Sequence, residues 1–224
     1  MHYVLHYGQI TPYIPYLLGG VLISLALSIL SFAGGMVLGL VFAILRNEGG
    51  AAASRFVRGY VAFFTNTPQL VQIYVIYFGL PDFGILFTPF MAVLIGMTLN
   101  AAGYLTEILR AGLASVHAQE LDAAETLNMS RLQTLRHVIL PHLFRVTMPA
   151  LTNQYILMML GTSMAAIFGV EELTGRAFNI NSTTFRSIEV FTTVAAIYVV
   201  VTFLATILLA LFSRWAFRAR VPVI

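Results

Sequence analysis

Long apolar runs, with the charges held between them, constrain this chain more than any other feature of its sequence. A helix needs roughly 20 apolar residues to cross the hydrocarbon core of a bilayer. Residues about 16–45 exceed that before the first charged side chain, Arg46. Four further runs follow at about 56–80, 87–113, 146–169 and 188–212. Charged residues make up 9% of the chain, against roughly 25% in a soluble domain. The sequence therefore predicts an all-α integral membrane protein with five transmembrane helices, forming one domain over residues 1–224. Gly34, Gly35 and Gly39 fall in the first run, where small residues let helices approach closely. The second run is interrupted by Thr65-Asn-Thr-Pro-Gln69, a polar break of a kind tolerated only where protein or a water-filled cavity surrounds it.

Five crossings place the two termini on opposite sides of the membrane. All positive side chains are Arg. Arg46, Arg55 and Arg58 follow the first run, Arg110, Arg131, Arg136 and Arg145 the third, and Arg214, Arg218 and Arg220 the fifth. Only Arg176 and Arg186 fall on the other side. The excess of arginine on cytoplasmic loops puts the N-terminus outside and the C-terminus in the cytoplasm. It also accounts for the net charge of +3 without a nucleic-acid surface. Met1 to Gly20 has no Lys or Arg, so the start lacks the basic region of a cleavable signal peptide and the first helix is expected to insert itself. Glu171 to Arg186 reads as a hydrophilic outer loop, and Glu189 as an interfacial residue.

One polar island stands out, Glu120 to Pro141, with Asp122, Glu125, Arg131, Arg136 and His137 set between apolar runs. Glu120 to Leu127 is mostly good helix formers. Asn128 suits the left-handed residue that ends a helix, and Ser130 the cap of the next. That second helix is expected to run through Leu132, Leu135, His137 and Val138 until Pro141 breaks or kinks it. The island reads as a small helix-turn-helix knob on the cytoplasmic face. From the residues alone, a solvated hairpin and a docking feature are equally good accounts of it.

Asp122-Ala123-Ala124, the turn residue Asn128 and Ile139-Leu140-Pro141 resemble the EAA loop of the permease subunits of bacterial ABC importers. Asn100-Ala-Ala-Gly-Tyr-Leu-Thr-Glu107-Ile-Leu-Arg110-Ala-Gly112, Thr67-Pro-Gln69 through Pro81, and Gly169-Val-Glu-Glu-Leu-Thr174 extend the likeness to the permeases for polar amino acids. The resemblance runs from about Tyr16 to Phe217. It implies that the loop, about 115–141, holds a coupling helix seated in a groove of a separate ATPase. Glu120, Asp122, Ala123, Ala124 and Glu125, with Asn128, Ser130 and Arg131 at the turn, are then the coupling residues. The two alanines would allow close approach, and Asp122 and Glu125 would pair with basic groove residues. Where this chain has Asp122 and Asn128 the family usually has Glu and Gly; Asp keeps the carboxylate and Asn tolerates a left-handed turn.

Asn100, Tyr104 and Glu107 are spaced to share one face of a helix, and ionisable groups inside a membrane are pathway candidates by default. A local pair between Glu107 and Arg110 is the competing account. On the fourth span Gln154, Met158 and Gly161 share a face, with Thr162 and Ser163 beside it; ordinary interhelical hydrogen bonding is the alternative there. In relatives Lys-Asp often precedes that Thr-Ser, where this chain has Leu160-Gly161. Without the acid a cationic substrate lacks its obvious partner, which shifts the expectation towards a neutral or acidic amino acid.

An enzyme finds little support. His2 and His6, or His137 and His142, are isolated pairs, no metal site is expected, and no phosphate-cradling loop with its Lys is present. The expectation is a multi-pass permease of the bacterial cytoplasmic membrane with no cofactor of its own, in contact with lipid and not with nucleic acid. Its implied partners are an ABC ATPase dimer that binds ATP and Mg, a second permease subunit, identical or homologous, and an extracytoplasmic amino-acid-binding protein. The alternative is a membrane-anchored assembly protein whose hairpin recruits a soluble partner. A secondary transporter would normally show internal repeats, and none is visible.

Overall fold

The computed structural model describes residues 4–217, and every regular element in that range is helical. His2, Arg218 and Arg220 lie outside the described residues. In order, the helices are α1 (Ile14–Glu48), α2 (Ala51–Asn66), α3 (Gln69–Tyr74), α4 (Pro89–Ala114), α5 (Ala118–Thr126), α6 (Arg131–Thr134), α7 (Leu140–Gly161), α8 (Leu173–Thr184) and α9 (Ser187–Phe217). Four continuous helical stretches are long and apolar enough to cross a membrane: Tyr7–Glu48, Pro89–Ala114, Arg131–Phe168 and Ser187–Ala216. α4 is the most buried of these and α9 the least.

The second apolar run is not one continuous helix. α2 stops at Asn66, Pro68 is extended (φ −62°, ψ 131°), and α3 starts at Gln69. Proline disfavours helical geometry in the residue before it and has no N–H of its own, so the chain breaks where the sequence indicated. Pro141 behaves differently from expectation. The helix runs on through it, because α6 passes into α7 through a π-helical turn over Leu135–Ile139. Pro141 offers no N–H to the carbonyl of His137 and crowds it; one widened turn at that level takes up the mismatch without ending the helix.

The chain divides into two compact units, and each long helix contributes to both. One unit comprises the residues to Ala33 with Thr67–Thr98 and Ile156–Leu204. Its core packs Leu17 and Val21 of α1 against Leu173, Ala177 and Ile180 of α8 and Val190 and Val194 of α9. The segment read as a hydrophilic loop, Glu171 to Arg186, is therefore mostly the helix α8. Glu172 caps it, accepting from the backbone N–H of Thr174 at 3.0 Å and Gly175 at 2.9 Å. Ser24 (3.1 Å) and Tyr198 (3.0 Å) donate hydroxyls to the same carboxylate, which is fully buried. Burial pushes the Glu172 carboxyl above the usual carboxylate range, against these four donors. Glu189 is also fully buried; it accepts from the backbone of His6 and pairs with Arg186.

The other unit comprises Gly34–Asn66, Leu99–Tyr155 and the residues from Ala205. Its core joins Ala43 of α1, Leu109 of α4 and Leu143 of α7. Two glycines make the contacts close. A Cβ on Gly35 would lie 2.6 Å from the Ala101 side chain, and one on Gly112 would overlap Thr147 and Leu143. Gly35 and Gly39 of the first run serve the close α1–α4 packing anticipated from their size.

Candidate functional site

The polar island folds as a knob between α4 and α7. α5 ends in a Schellman closure: Asn128 donates its N–H to the carbonyl of Glu125 at 2.8 Å, and Met129 donates to Ala124 at 3.0 Å. Asn128 is left-handed, with φ 50°. Two residues on, Ser130 caps α6 in a reciprocal box with Gln133, at 3.3 and 2.7 Å. The turn is thus closed on both sides by its own hydrogen bonds, and both of the sequence signals for it were legible.

Within the knob the coupling candidates separate. Asp122, Ala123 and Glu125 are exposed, as are Asn128, Ser130 and Arg131. Ala124 is not an outward residue: it is 3% exposed and packs inside, so only one of the two alanines offers a close approach. Glu120 is partly exposed, with its carboxylate 3.3 Å from Nδ1 of His142.

The α4 face carries Asn100, Tyr104 and Glu107, and each has a partner within the same unit. The Asn100 amide donates to the carbonyl of Phe64 at 3.0 Å, and the Tyr104 hydroxyl to that of Thr65 at 3.3 Å. Thr65 and Asn66 reach back to the carbonyls of Val61 (2.7 Å) and Ala62 (2.8 Å). A helix end leaves its last carbonyls without intrahelical partners, an expensive condition away from water. Asn100 and Tyr104 thus serve the end of α2 that Pro68 leaves behind, while Thr65 and Asn66 bond back one turn to carbonyls still inside the helix. Glu107 sits between two guanidiniums: Arg110 binds it through Nε (3.1 Å) and Nη2 (2.9 Å), and Arg46 of α1 forms the second ion pair. The local pair weighed from the sequence is present, and Arg46 joins it from 61 residues away.

On α7, Gln154 is partly exposed and Met158 is buried. Gly161 closes the helix, followed by Thr162 and Ser163 in a 3-10 turn. Both hydroxyls are spent on local carbonyls, Thr162 on Met159 (2.7 Å) and Ser163 on Leu160 (2.8 Å). A Cβ on Gly161 would stand 3.5 Å from Oε1 of Gln69, so a neutral amide faces the place where a larger residue would project. Among the described residues no group of three or more His, Asp or Glu could hold a metal ion.

Residues 35–218 match the family described as the binding-protein-dependent transport system inner membrane component. The chain belongs to this family. It is 35% identical over 212 residues to the glutamine transport system permease protein GlnP of Escherichia coli (strain K12), covering 93% of this chain and 96% of that one. It is 37% identical over 215 residues to the octopine transport system permease protein OccM of Rhizobium meliloti, covering 91% and 88%. The fold matches the crystal structure of an amino acid ABC transporter with histidines at a TM-score of 0.86 and 31% identity, covering 95% of this chain and 99% of that one. The MetNI methionine ABC transporter, at 20% identity and a TM-score of 0.73, shares the fold.

The inner membrane component has two features that the motifs did not signal. Leu127 and Leu132, at the tip of the knob, are 74% and 73% exposed. The sequence placed them only within two short helices; they flank the left-handed turn at Asn128. Gln69 was noted as part of a polar break, but its nearness to Gly161 depends on the fold.

Proposed function

We propose that this inner membrane component is the permease subunit of an ATP-driven importer for a polar amino acid, with the α5–α6 knob as its seat on the ATPase dimer. The observation that carries the reading is the knob itself. An exposed apolar tip, Leu127, is held by a turn closed on both sides and flanked by Asp122 and Glu125. A stiff projection of this kind transmits a push, as a floppy hairpin cannot.

The chain crosses the membrane five times in this reading, with α2 and α3 together making the second crossing around the Pro68 break. The N-terminus lies outside and the knob in the cytoplasm, consistent with the arginine distribution. Two permeases, identical or homologous, line one pathway, and an extracytoplasmic binding protein delivers the substrate. ATP and Mg are held by the ATPase subunits. Closure of the ATPase dimer moves the knobs, and the permease helices follow as rigid bodies to switch access. The amino acid is moved without chemical change. The substrates named for the relatives, glutamine and octopine, support an amino acid or its derivative. Gly161, lacking a carboxylate beside Gln69, favours a neutral or acidic side chain over a basic one.

The test is substrate-stimulated ATP hydrolysis and uptake in liposomes holding the permease, its ATPase and its binding protein, screened across the twenty amino acids. Stimulation by a few neutral or acidic amino acids is expected. Stimulation by arginine or lysine alone would overturn the substrate assignment, and an assembled, ATP-hydrolysing complex that answers to no amino acid would overturn the import reading.

A further inference from the structure

We infer that Gln69 reads the side chain of the substrate inside this subunit and selects one that ends in a carboxamide; this rests on the reading of the chain as an amino-acid permease. Gln69 opens α3, directly after the Pro68 break in the second crossing. Its side chain is half-buried and makes no hydrogen bond among the described residues. Gln72, one turn on, is the contrast, since its amide is spent on the hydroxyl (2.7 Å) and the carbonyl (3.1 Å) of Thr67. An unpaired carboxamide is costly in an apolar medium. A half-exposed one within a membrane crossing therefore faces water or a polar ligand, and a break of this kind is tolerated only beside protein or a water-filled cavity.

Gly161, at the end of α7, stands beside that amide, and neither backbone nor packing asks for glycine there. Its φ of −62° and ψ of −20° are right-handed values that any residue adopts. A Cβ built on it meets Oε1 of Gln69 at 3.5 Å and the terminal methyl of Met164 at 3.6 Å, both ordinary contacts. Gly35 and Gly112 differ, because a Cβ on either would overlap its neighbours. Glycine in a helix is less stable than alanine, so a glycine without a packing reason marks space that is left open. That space lies between the Gln69 amide and Met164, whose flexible thioether adapts to what packs on it. A side chain with an apolar stem and a polar end fits there.

Donor and acceptor counting picks the polar end. The Gln69 amide carries N–H donors on one side and an acceptor oxygen on the other. A second carboxamide matches it edge to edge, donating to the oxygen and accepting from the nitrogen. A carboxylate only accepts, so in the same pose one of its oxygens faces the Gln69 oxygen. A guanidinium only donates, so one of its N–H groups faces the Gln69 nitrogen. An apolar side chain leaves both edges unpaired, and a site built to hydrogen-bond its substrate rejects such an analogue because its own polar groups are stranded. The neutral or acidic range favoured by Gly161 narrows to the neutral amide.

Binding to the permease–ATPase complex in nanodiscs, with the binding protein left out, tests the permease's own selectivity. The probe is radiolabelled glutamine, and the competitors are asparagine, methionine, glutamate and arginine. Methionine is close to glutamine in length and lacks the amide. In wild type, glutamine and asparagine are expected to displace the probe about tenfold better than methionine. In Gln69→Leu the probe should bind about tenfold more weakly, and methionine should compete as well as glutamine. Gln69→Glu turns the donor edge into an acceptor, so arginine should become the best competitor, a gain that a merely structural Gln69 does not give. Equal competition by glutamine and methionine in wild type, or a wild-type ranking in both variants, overturns the assignment. If Gln69→Leu fails to assemble, Gln69→Glu decides by the same criterion.

Uptake by the complete transporter in proteoliposomes separates this inference from the reading beneath it. Amino-acid uptake with the binding protein present, but no saturable glutamine binding to the assembled permease–ATPase complex, overturns the role of Gln69 and leaves the import reading standing. A complete, ATP-hydrolysing transporter that takes up no amino acid counts against the import reading, and the inference falls with it.

Discussion

Asn100 shows how one side chain can be read in two ways. It is 8% exposed, and its amide is turned onto the carbonyl of Phe64 at the end of α2. Asn100→Leu removes that donor and is expected to cost about 1–3 kcal/mol, seen as earlier melting of the purified protein. Unchanged melting with altered substrate selectivity would move Asn100 to the pathway. Asn128 makes a local demand of a different kind. Asn128→Val places a β-branched residue at φ 50° and should cost about 1–2 kcal/mol, read as faster amide exchange at Met129; Asn128→Gly should be nearly silent. Glu172 supplies the pH dependence. Its folded value is raised above the ordinary 4.5, so the folded state holds the proton more tightly. The stabilisation from that proton is complete below 4.5 and lost as pH rises through the raised folded value. Titration of thermal stability in Glu172→Gln should lack this component, and an unchanged profile would assign it elsewhere.

At the scale of elements, the α5–α6 knob combines local closure with an apolar tip. Leu127→Asp leaves the turn's hydrogen bonds intact while placing a charge where an apolar contact is expected. Loss of such a contact at an interface centre costs roughly 2 kcal/mol or more, so the ATPase should co-purify poorly with this variant. Asp122→Arg should likewise uncouple substrate from ATP hydrolysis. Retained ATPase binding in both would remove the knob from the interface. Pro141 is the instructive element in the other direction. Its sequence context predicts a break, yet the π turn at Leu135–Ile139 keeps the helix continuous into α7. Local rules foresaw the strain at that point, and packing chose how it was absorbed.

For the whole molecule, orientation is the open quantity that a cysteine-free chain makes easy to measure. Single cysteines at Glu125 and Ser182, both exposed positions, should react with an impermeant maleimide from opposite sides, Glu125→Cys only from the cytoplasmic side. The reverse pattern would invert the topology. If both positions label from the same side, the number of crossings is not five.

Composition and short-range pattern determined the helical membrane class, the break at Pro68, the left-handed turn at Asn128 and the cap at Ser130. Each of these depends on residues within a few positions of one another, or on the transfer of apolar side chains out of water, which needs no partner to be specified. Tertiary structure decided the rest. Arg46 finding Glu107, Asn100 serving the end of α2, Ala124 turning inward, Glu172 and Glu189 disappearing into a core, and His142 meeting Glu120 all require segments apart in the chain to meet. In a largely apolar chain the few polar groups must find partners wherever the fold brings them. Those partners are set by helix packing, which sequence spacing does not encode.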